Sequence, residues 1–143
     1  MIAIGSDHGG FDLKQKVIAH LKERGFACKD YGCMDKSSCD YPVYGAAVAK
    51  AVASGECDRG IVICTTGIGI SITANKVKGI RCALCGDPVS ARLTREHNDA
   101  NVLAMGASII GESVALNIVD IFLDTEFSGV ERHQRRVDLI EQG

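Results

Sequence analysis

The run Gly60-Ile61-Val62-Ile63-Cys64 constrains this chain more than any other segment. It is uncharged and rich in β-branched residues, and so reads as a strand buried on both faces. It ends in Thr65-Thr66-Gly67-Ile68-Gly69, whose glycines stop the strand and lead into a short helix running to Asn75. A strand covered on both sides needs helices on both faces, and the rest of the chain supplies them in alternation. Residues 2–5 read as a first strand. Residues 11–24 follow as a helix, with Phe11, Leu13, Val17, Ile18 and Leu21 near helical spacing and Gly25 as its terminal cap. Residues 26–30 form a second strand, and 31–39 a polar loop. Asp40 then caps a helix through Ser54, with Pro42 in its first turn. Beyond the central strand, residues 81–85 read as a strand. Asp87 and Pro88 open a helix that ends near His97, and 102–105 make the last strand. Helices over 111–123 and Glu131–Glu141 complete the chain. The alternation predicts one α/β domain over 1–143: a parallel sheet between two helical layers, in a three-layer Rossmann-like arrangement.

Charge and patterning exclude several kinds of function. Sixteen basic residues against eighteen acidic ones, a net charge of -2, give no broad basic field for nucleic acid. No apolar stretch approaches the roughly 18 residues that cross a bilayer. The start MIAIGSDHGG lacks a basic segment followed by an apolar run, so no secretory signal is expected and the reading is a cytoplasmic protein. Seven cysteines are many, but the number is odd and no disulfide framework is expected. Cys82 and Cys85 look like a CxxC pair, yet on a strand they point to opposite faces. No second pair at zinc-ligand spacing accompanies them, and neither a metal nor a cofactor is expected.

In a parallel α/β sheet the ligand site lies beyond the carboxyl ends of the strands, where the strand order reverses. The first and third strands end in the two most unusual segments, Ser6-Asp7-His8-Gly9-Gly10 and Cys64 to Gly69. Cys64 precedes a glycine-containing turn and a helix start, where free amides and the helix dipole favour an anion. It is a candidate base or nucleophile, or else a buried core thiol. The loop 65–69 is neither a phosphate loop, since no lysine follows in place, nor a dinucleotide fingerprint, since Ile72 stands where a third glycine is needed. What remains is an anion or oxyanion cradle. Asp7 and His8 can contact a polar ligand, or simply cap a turn and face water. His97 and Asn98 end the fourth helix, where a histidine can exchange protons or merely complement the dipole. Arg132 and Arg136 lie one helical turn apart, a spacing that suits two guanidinium groups on one phosphate as well as a solvated basic face.

Taken together, GSDHGGFDLK at 5–14, DYP at 40–42, GIVICTTGIGISITANK at 60–76, REHNDANVLAMG at 95–106 and RHQRR at 132–136 closely resemble the type B ribose-5-phosphate isomerase family. That family also includes the galactose-6-phosphate isomerase subunits, and the resemblance runs from Ile2 to about Arg136. It implies a flavodoxin-like or Rossmann-like sheet of five parallel strands, and a homodimer or dimer of dimers whose active sites are shared between subunits. It also implies metal-free aldose–ketose isomerisation of a sugar phosphate through an enediolate. By that resemblance Cys64 is the base that moves the proton between C2 and C1. Thr66 and the amides of Thr65, Gly67, Ile68 and Gly69 hold the enediolate oxygen, and His97 opens the sugar ring. Asp7, His8 and Asn98 contact the substrate, with His8 near the phosphate that Arg132 and Arg136 hold. Three positions depart from the family pattern: Thr65 and Glu131 replace glycines, and Ser108 stands where many members carry an arginine that helps bind phosphate. They bear on substrate preference and phosphate affinity more than on reaction type.

The expected function is therefore interconversion of ribose 5-phosphate and ribulose 5-phosphate. An isomerase of a six-carbon sugar phosphate or of a rare aldose would use the same groups. A sugar-phosphate sensor would keep the fold without the chemistry. A thiol redox protein would pair Cys64 with Cys33, Cys39, Cys82 or Cys85.

Overall fold

The computed structural model describes residues 1–143. Five parallel strands form one sheet: β1 Ile2–Ser6, β2 Cys28–Asp30, β3 Arg59–Cys64, β4 Cys82–Leu84 and β5 Val102–Gly106, in the spatial order β2-β1-β3-β5-β4. Six α-helices surround it: α1 Phe11–Glu23, α2 Tyr41–Ala53, α3 Ile68–Asn75, α4 Pro88–Asn98, α5 Glu112–Asp124 and α6 Glu131–Glu141. The expected Rossmann-like architecture is present, and no helix is long and apolar enough to cross a membrane.

Alternation along the strands divides the interior into two cores. Ile2, Ile4, Ile61, Ile63, Leu103 and Met105 face α1, α4 and α5, where Val17, Leu21, Ala91, Ile118 and Phe122 meet them. Ala3, Val62, Cys64, Val102 and Ala104 face α2 and α3, against Val48, Val52, Ile70 and Ala74. The layering follows from right-handed crossovers: a move in one direction along the sheet puts its helix on one face, and a reversal puts it on the other.

Two reversals occur. From β1 the chain goes outward to β2 and then returns past β1 to β3. From β3 it skips to the edge strand β4 and comes back to β5. The flavodoxin order, 2-1-3-4-5, has only the first. The exchange of the last two strands was not readable from local pattern, because β4 and β5 each satisfy the same apolar alternation.

Local expectations hold with small shifts. Asp87 caps α4, its Oδ1 accepting from Ser90 N–H at 2.7 Å, and Gly25 adopts the left-handed conformation (φ +86°) just past α1. Asp40 sits at the cap position of α2, but its side chain accepts no capping hydrogen bond. The second and fourth strands are shorter than expected, and His8–Gly10 form an unforeseen 3-10 turn. Cys82 packs toward the α2–α3 core and Cys85 toward the other, so the CxxC spacing does not make a pair. Burial pushes both thiols up, Cys82 to about 12 and Cys85 to about 11.

Candidate active site

The candidate residues fall into two groups. The first gathers at the carboxyl ends of β1 and β3, adjacent strands at the first reversal. Cys64 ends β3 and is 5% exposed. Gly67 adopts a left-handed conformation (φ +79°), which turns its N–H back to donate to Cys64 Sγ at 3.1 Å. Only glycine fits there: a Cβ would stand 2.5 Å from Leu84 Cδ1 and 2.7 Å from the Met105 carbonyl carbon. Two further backbone bonds hold the loop, Ala107 N–H to Cys64 O at 2.9 Å and Ser108 N–H to Thr65 O at 3.0 Å. Ser108 thus braces the Cys64 loop from the end of β5.

Thr66 Oγ1 accepts from Ile68 N–H at 3.2 Å, which leaves its hydroxyl proton free to donate elsewhere. The N–H groups of Thr65, Thr66 and Gly69 have no protein acceptor. They start the α3 turn, where orphan donors and the helix dipole favour negative charge. Half-buried Gly69 lies under the ring of Tyr41, whose Cζ would be 2.5 Å from a Cβ at that position. This contact gives Tyr41 of the DYP motif a place in the site that sequence reasoning missed; a tyrosine at a helix start carries no signal of its own.

Asp7 follows β1. Its Oδ1 accepts from Gly10 N–H at 3.1 Å, so the capping reading is correct for one oxygen, and Oδ2 has no protein partner. His8 is exposed, and its Nδ1 accepts from Cys39 N–H at 3.2 Å. A neutral imidazole bonded this way carries its proton on Nε2, as a donor facing outward. The 3-10 turn also makes room for Thr65: a side chain at Gly9 would overlap Thr65 Oγ1. Beside this segment Lys14, fully buried on α1, ties the helix to the end of β2 and the loop after it: its Nζ donates to Asp30 Oδ1 and Oδ2 at 2.7 and 2.8 Å and to Cys33 O at 2.5 Å.

The second group is elsewhere. Helix α4 runs antiparallel to the strands, so His97 and Asn98 at its end lie beside the amino ends of β3 and β5. There Asn101 O accepts from Gly60 N–H at 3.0 Å. Cys64 stands at the opposite, carboxyl end of β3. The strands separate the two by about 17 Å at roughly 3.3 Å per residue. Arg132 and Arg136 belong with His97. Helix α6 packs on α4 through His133 and Val137, and the His97 and His133 rings meet at 4.5 Å between centroids, tilted 40° to each other. Ser128 Oγ bonds His133 Nδ1 at 2.6 Å. His133 is held below the usual imidazole pKa, first by burial, then by His97, Arg132 and Arg136. Neither Arg132 nor Arg136 has a carboxylate partner. Glu131 instead pairs with Arg135 at 3.0 Å, so its negative charge is already matched.

Arg81, which the sequence reading left as an ordinary strand residue, ties this second group together. Its guanidinium donates to Asn98 O at 3.0 Å, Asp99 O at 2.8 Å and Glu141 Oε1 at 2.7 Å, joining the end of α4 to the end of α6. Arg95, 2% exposed, fixes the same corner through Asp99 Oδ1, Ala100 O and Thr125 O.

A parallel α/β fold with a thiol beside unpaired amides at the strand reversal fits a broad class, enzymes with an anion-holding site at the strand ends. Comparison with known proteins narrows the class. Residues 2–140 match the ribose/galactose isomerase family, and the chain belongs to that family of isomerases. It is 52% identical over 139 residues to ribose-5-phosphate isomerase B of Escherichia coli strain K12, covering 97% of this chain and 93% of that protein. It is 42% identical over 142 residues to the galactose-6-phosphate isomerase subunit LacB of Clostridium acetobutylicum, covering 99% of this chain and 82% of that subunit. Among solved structures, Clostridium thermocellum ribose-5-phosphate isomerase B superposes with a TM-score of 0.97 at 55% identity, covering 99% of this chain and 95% of that one.

Proposed function

We propose that this isomerase interconverts ribose 5-phosphate and ribulose 5-phosphate in the cytoplasm, within the non-oxidative pentose phosphate route. The observation that carries the reading is the Cys64–Gly67 arrangement, a sulfur that accepts a backbone hydrogen bond and borders unpaired amides. Proton transfer between C2 and C1 needs a base and a stabilised enediolate oxygen in contact with the same two carbons. Cys64 takes the C2 proton of the open-chain aldose and returns it to C1. The Thr66 hydroxyl and the free amides of Thr65, Thr66 and Gly69 hold the oxygen on which charge develops, while the Gly67 and Ile68 amides shape the loop through Cys64 Sγ and Thr66 Oγ1. Asp7 Oδ2 and the outward Nε2–H of His8 bind the sugar and its phosphate side.

His97 opens the ring, and Asn98 contacts the sugar. Arg132 and Arg136 grip the phosphate, whose binding energy orients the reacting carbons. These groups stand a full strand length from Cys64 in one chain, so each active site is built from two copies, the strand-end group of one and the helix-borne group of the other. The apolar surface beside Cys64 supports a second copy there. Ile68, Ile72, Leu84, Val89 and Ile109 are 43–66% exposed, far more apolar surface than a solvated edge needs. A homodimer, or a dimer of dimers, covers it.

The similarity to a galactose-6-phosphate isomerase subunit supports a second reading, a six-carbon substrate. Proton NMR of ribose 5-phosphate with the purified protein in heavy water separates the readings. Ribulose 5-phosphate with deuterium at the transferred position is the expected result. Turnover of allose or galactose 6-phosphate alone would establish the second reading. Binding without turnover or exchange would make the protein a sensor.

A further inference from the structure

Helix α6 brings to the end of α4 one buried titratable group that the proposed chemistry does not use. Arg132 and Arg136 are exposed, while His133 between them is buried. Its Nδ1 is fixed by Ser128 Oγ at 2.6 Å. Ser128 is itself pinned. Its Oγ accepts from Val130 N–H at 3.2 Å, and its N–H donates to Glu96 O at 3.1 Å, on the helical turn that carries His97. The His97 ring is exposed and has no hydrogen-bond partner in the protein; its contact is the His133 ring, 4.5 Å away between centroids and tilted by 40°. Such a contact suits a group that must both give and take a proton. A carboxylate partner would bias His97 toward its charged form, and a backbone partner would occupy one of its nitrogens. A neighbouring ring does neither: it pairs with the neutral imidazole as an aromatic and with the protonated one through its π face. The second case needs an uncharged His133. Burial and the cations around it, His97, Arg132 and Arg136, favour that form, and Glu96 opposes them.

We infer that His133, locked by Ser128, is a positioning residue that holds the His97 imidazole where it opens the sugar ring. The inference rests on the reading of His97 given above. In ring opening the anomeric hydroxyl gives up its proton and the bond from C1 to the ring oxygen breaks. That oxygen takes a proton as the C1 carbonyl forms. A residue that only supported α6 would serve the phosphate grip of Arg132 and Arg136, and so every step of the reaction. A residue that positions His97 serves ring opening alone. Ribulose 5-phosphate separates the two cases. Its O5 carries the phosphate, so its C2 carbonyl has no hydroxyl with which to close a five-membered ring, and the sugar stays open. Exchange of its C1 hydrogen into heavy water needs Cys64 and the phosphate grip but no ring opening. Turnover of ribose 5-phosphate needs all three.

The test follows both reactions by proton NMR at saturating substrate for the wild type, His133→Ala, Ser128→Ala and His97→Asn, with circular dichroism as the check of folding. Turnover of ribose 5-phosphate should fall about tenfold in His133→Ala, the worth of one aromatic contact, and about threefold in Ser128→Ala, the worth of one hydrogen bond. Exchange of ribulose 5-phosphate should stay within about twofold of wild type in both, since neither contact bears on Cys64. Ser128 is exposed, so its variant decides the matter even if His133→Ala does not fold. Equal loss of turnover and exchange overturns the inference, by making His133 a support for the phosphate grip. Unchanged turnover in the folded variants overturns it too. His97→Asn locates a failure. If it alone loses turnover, the inference fails and the reading of His97 stands. If it keeps turnover, that reading fails and the inference with it. A wild-type protein with neither turnover nor exchange would refute the proposed function, and both would fall together.

Discussion

The two halves of the candidate site are made of different material. The half at the ends of β1 and β3 is backbone and short side chains: Cys64 5% exposed, Asp7 6% exposed, and amides set by one left-handed glycine. The half on α4 and α6 is long side chains at the surface, His97, Asn98, Arg132 and Arg136, held in place from behind by Arg81, Arg95 and His133. The contrast matches the tasks proposed for them. A proton moved between adjacent carbons tolerates little displacement, and the base proposed for it, Cys64, sits on a central strand buried on both faces. A phosphate several bonds away is gripped by charge, which tolerates more.

The comparison can be broken at either half. Cys64→Ala should reduce kcat by about a thousandfold with the fold intact, checked by NMR exchange in heavy water; residual activity near wild type would remove the base from Cys64. Arg136→Ala should raise the KM for ribose 5-phosphate by about tenfold to a hundredfold and leave kcat less affected. An equal fall in kcat would show that the guanidinium acts at the reacting carbons instead. Gly67→Ala needs a left-handed backbone and meets Leu84 and Met105, so it should lower stability by more than about 1 kcal/mol in chemical denaturation. Unchanged stability would mean that the loop can move aside. Glu141→Gln frees Arg81 from α6, and should raise KM about threefold while sparing the Cys64 half.

The smallest effect is in pH. His133 is depressed below its ordinary value of 6.5, so the unfolded chain takes up its proton first as pH falls. The stability this neutral ring contributes is present above about pH 6.5 and declines as pH drops toward the folded-state value. His133→Asn should flatten that decline in thermal melts run between about pH 7 and about pH 5. An identical slope in both proteins would place the titration elsewhere.

Most of the fold could be read from the chain, because residues 60–64 and the helix signals around them are strong local patterns. Gly25 and the Asp87–Pro88 start were legible for the same reason: each satisfies a backbone requirement that no other residue meets as well. The exchange of β4 and β5 was not legible, since strand order depends on packing between elements of equal pattern. Cys64, Asp7 and His8 could be placed together from the rule that sites gather at strand reversals. Arg81, Lys14 and Tyr41 could not, because a buried cation or a ring over a glycine is recognised only by its neighbours. The separation of His97 from Cys64 within one chain was not legible either: the run of α4 back from the end of β4 puts them at opposite ends of the strands.

That separation makes the central claim testable in one measurement. Cys64→Ala and His97→Asn chains, each inactive alone, are co-expressed with different tags and the mixed assembly is purified through both. If each site takes its strand-end half from one chain and its helix-borne half from the other, some sites in the mixture are intact. Activity should then return to about a quarter to a half of wild type. A mixed assembly as inactive as its parents would show that the two halves act within one chain, and would contradict the account.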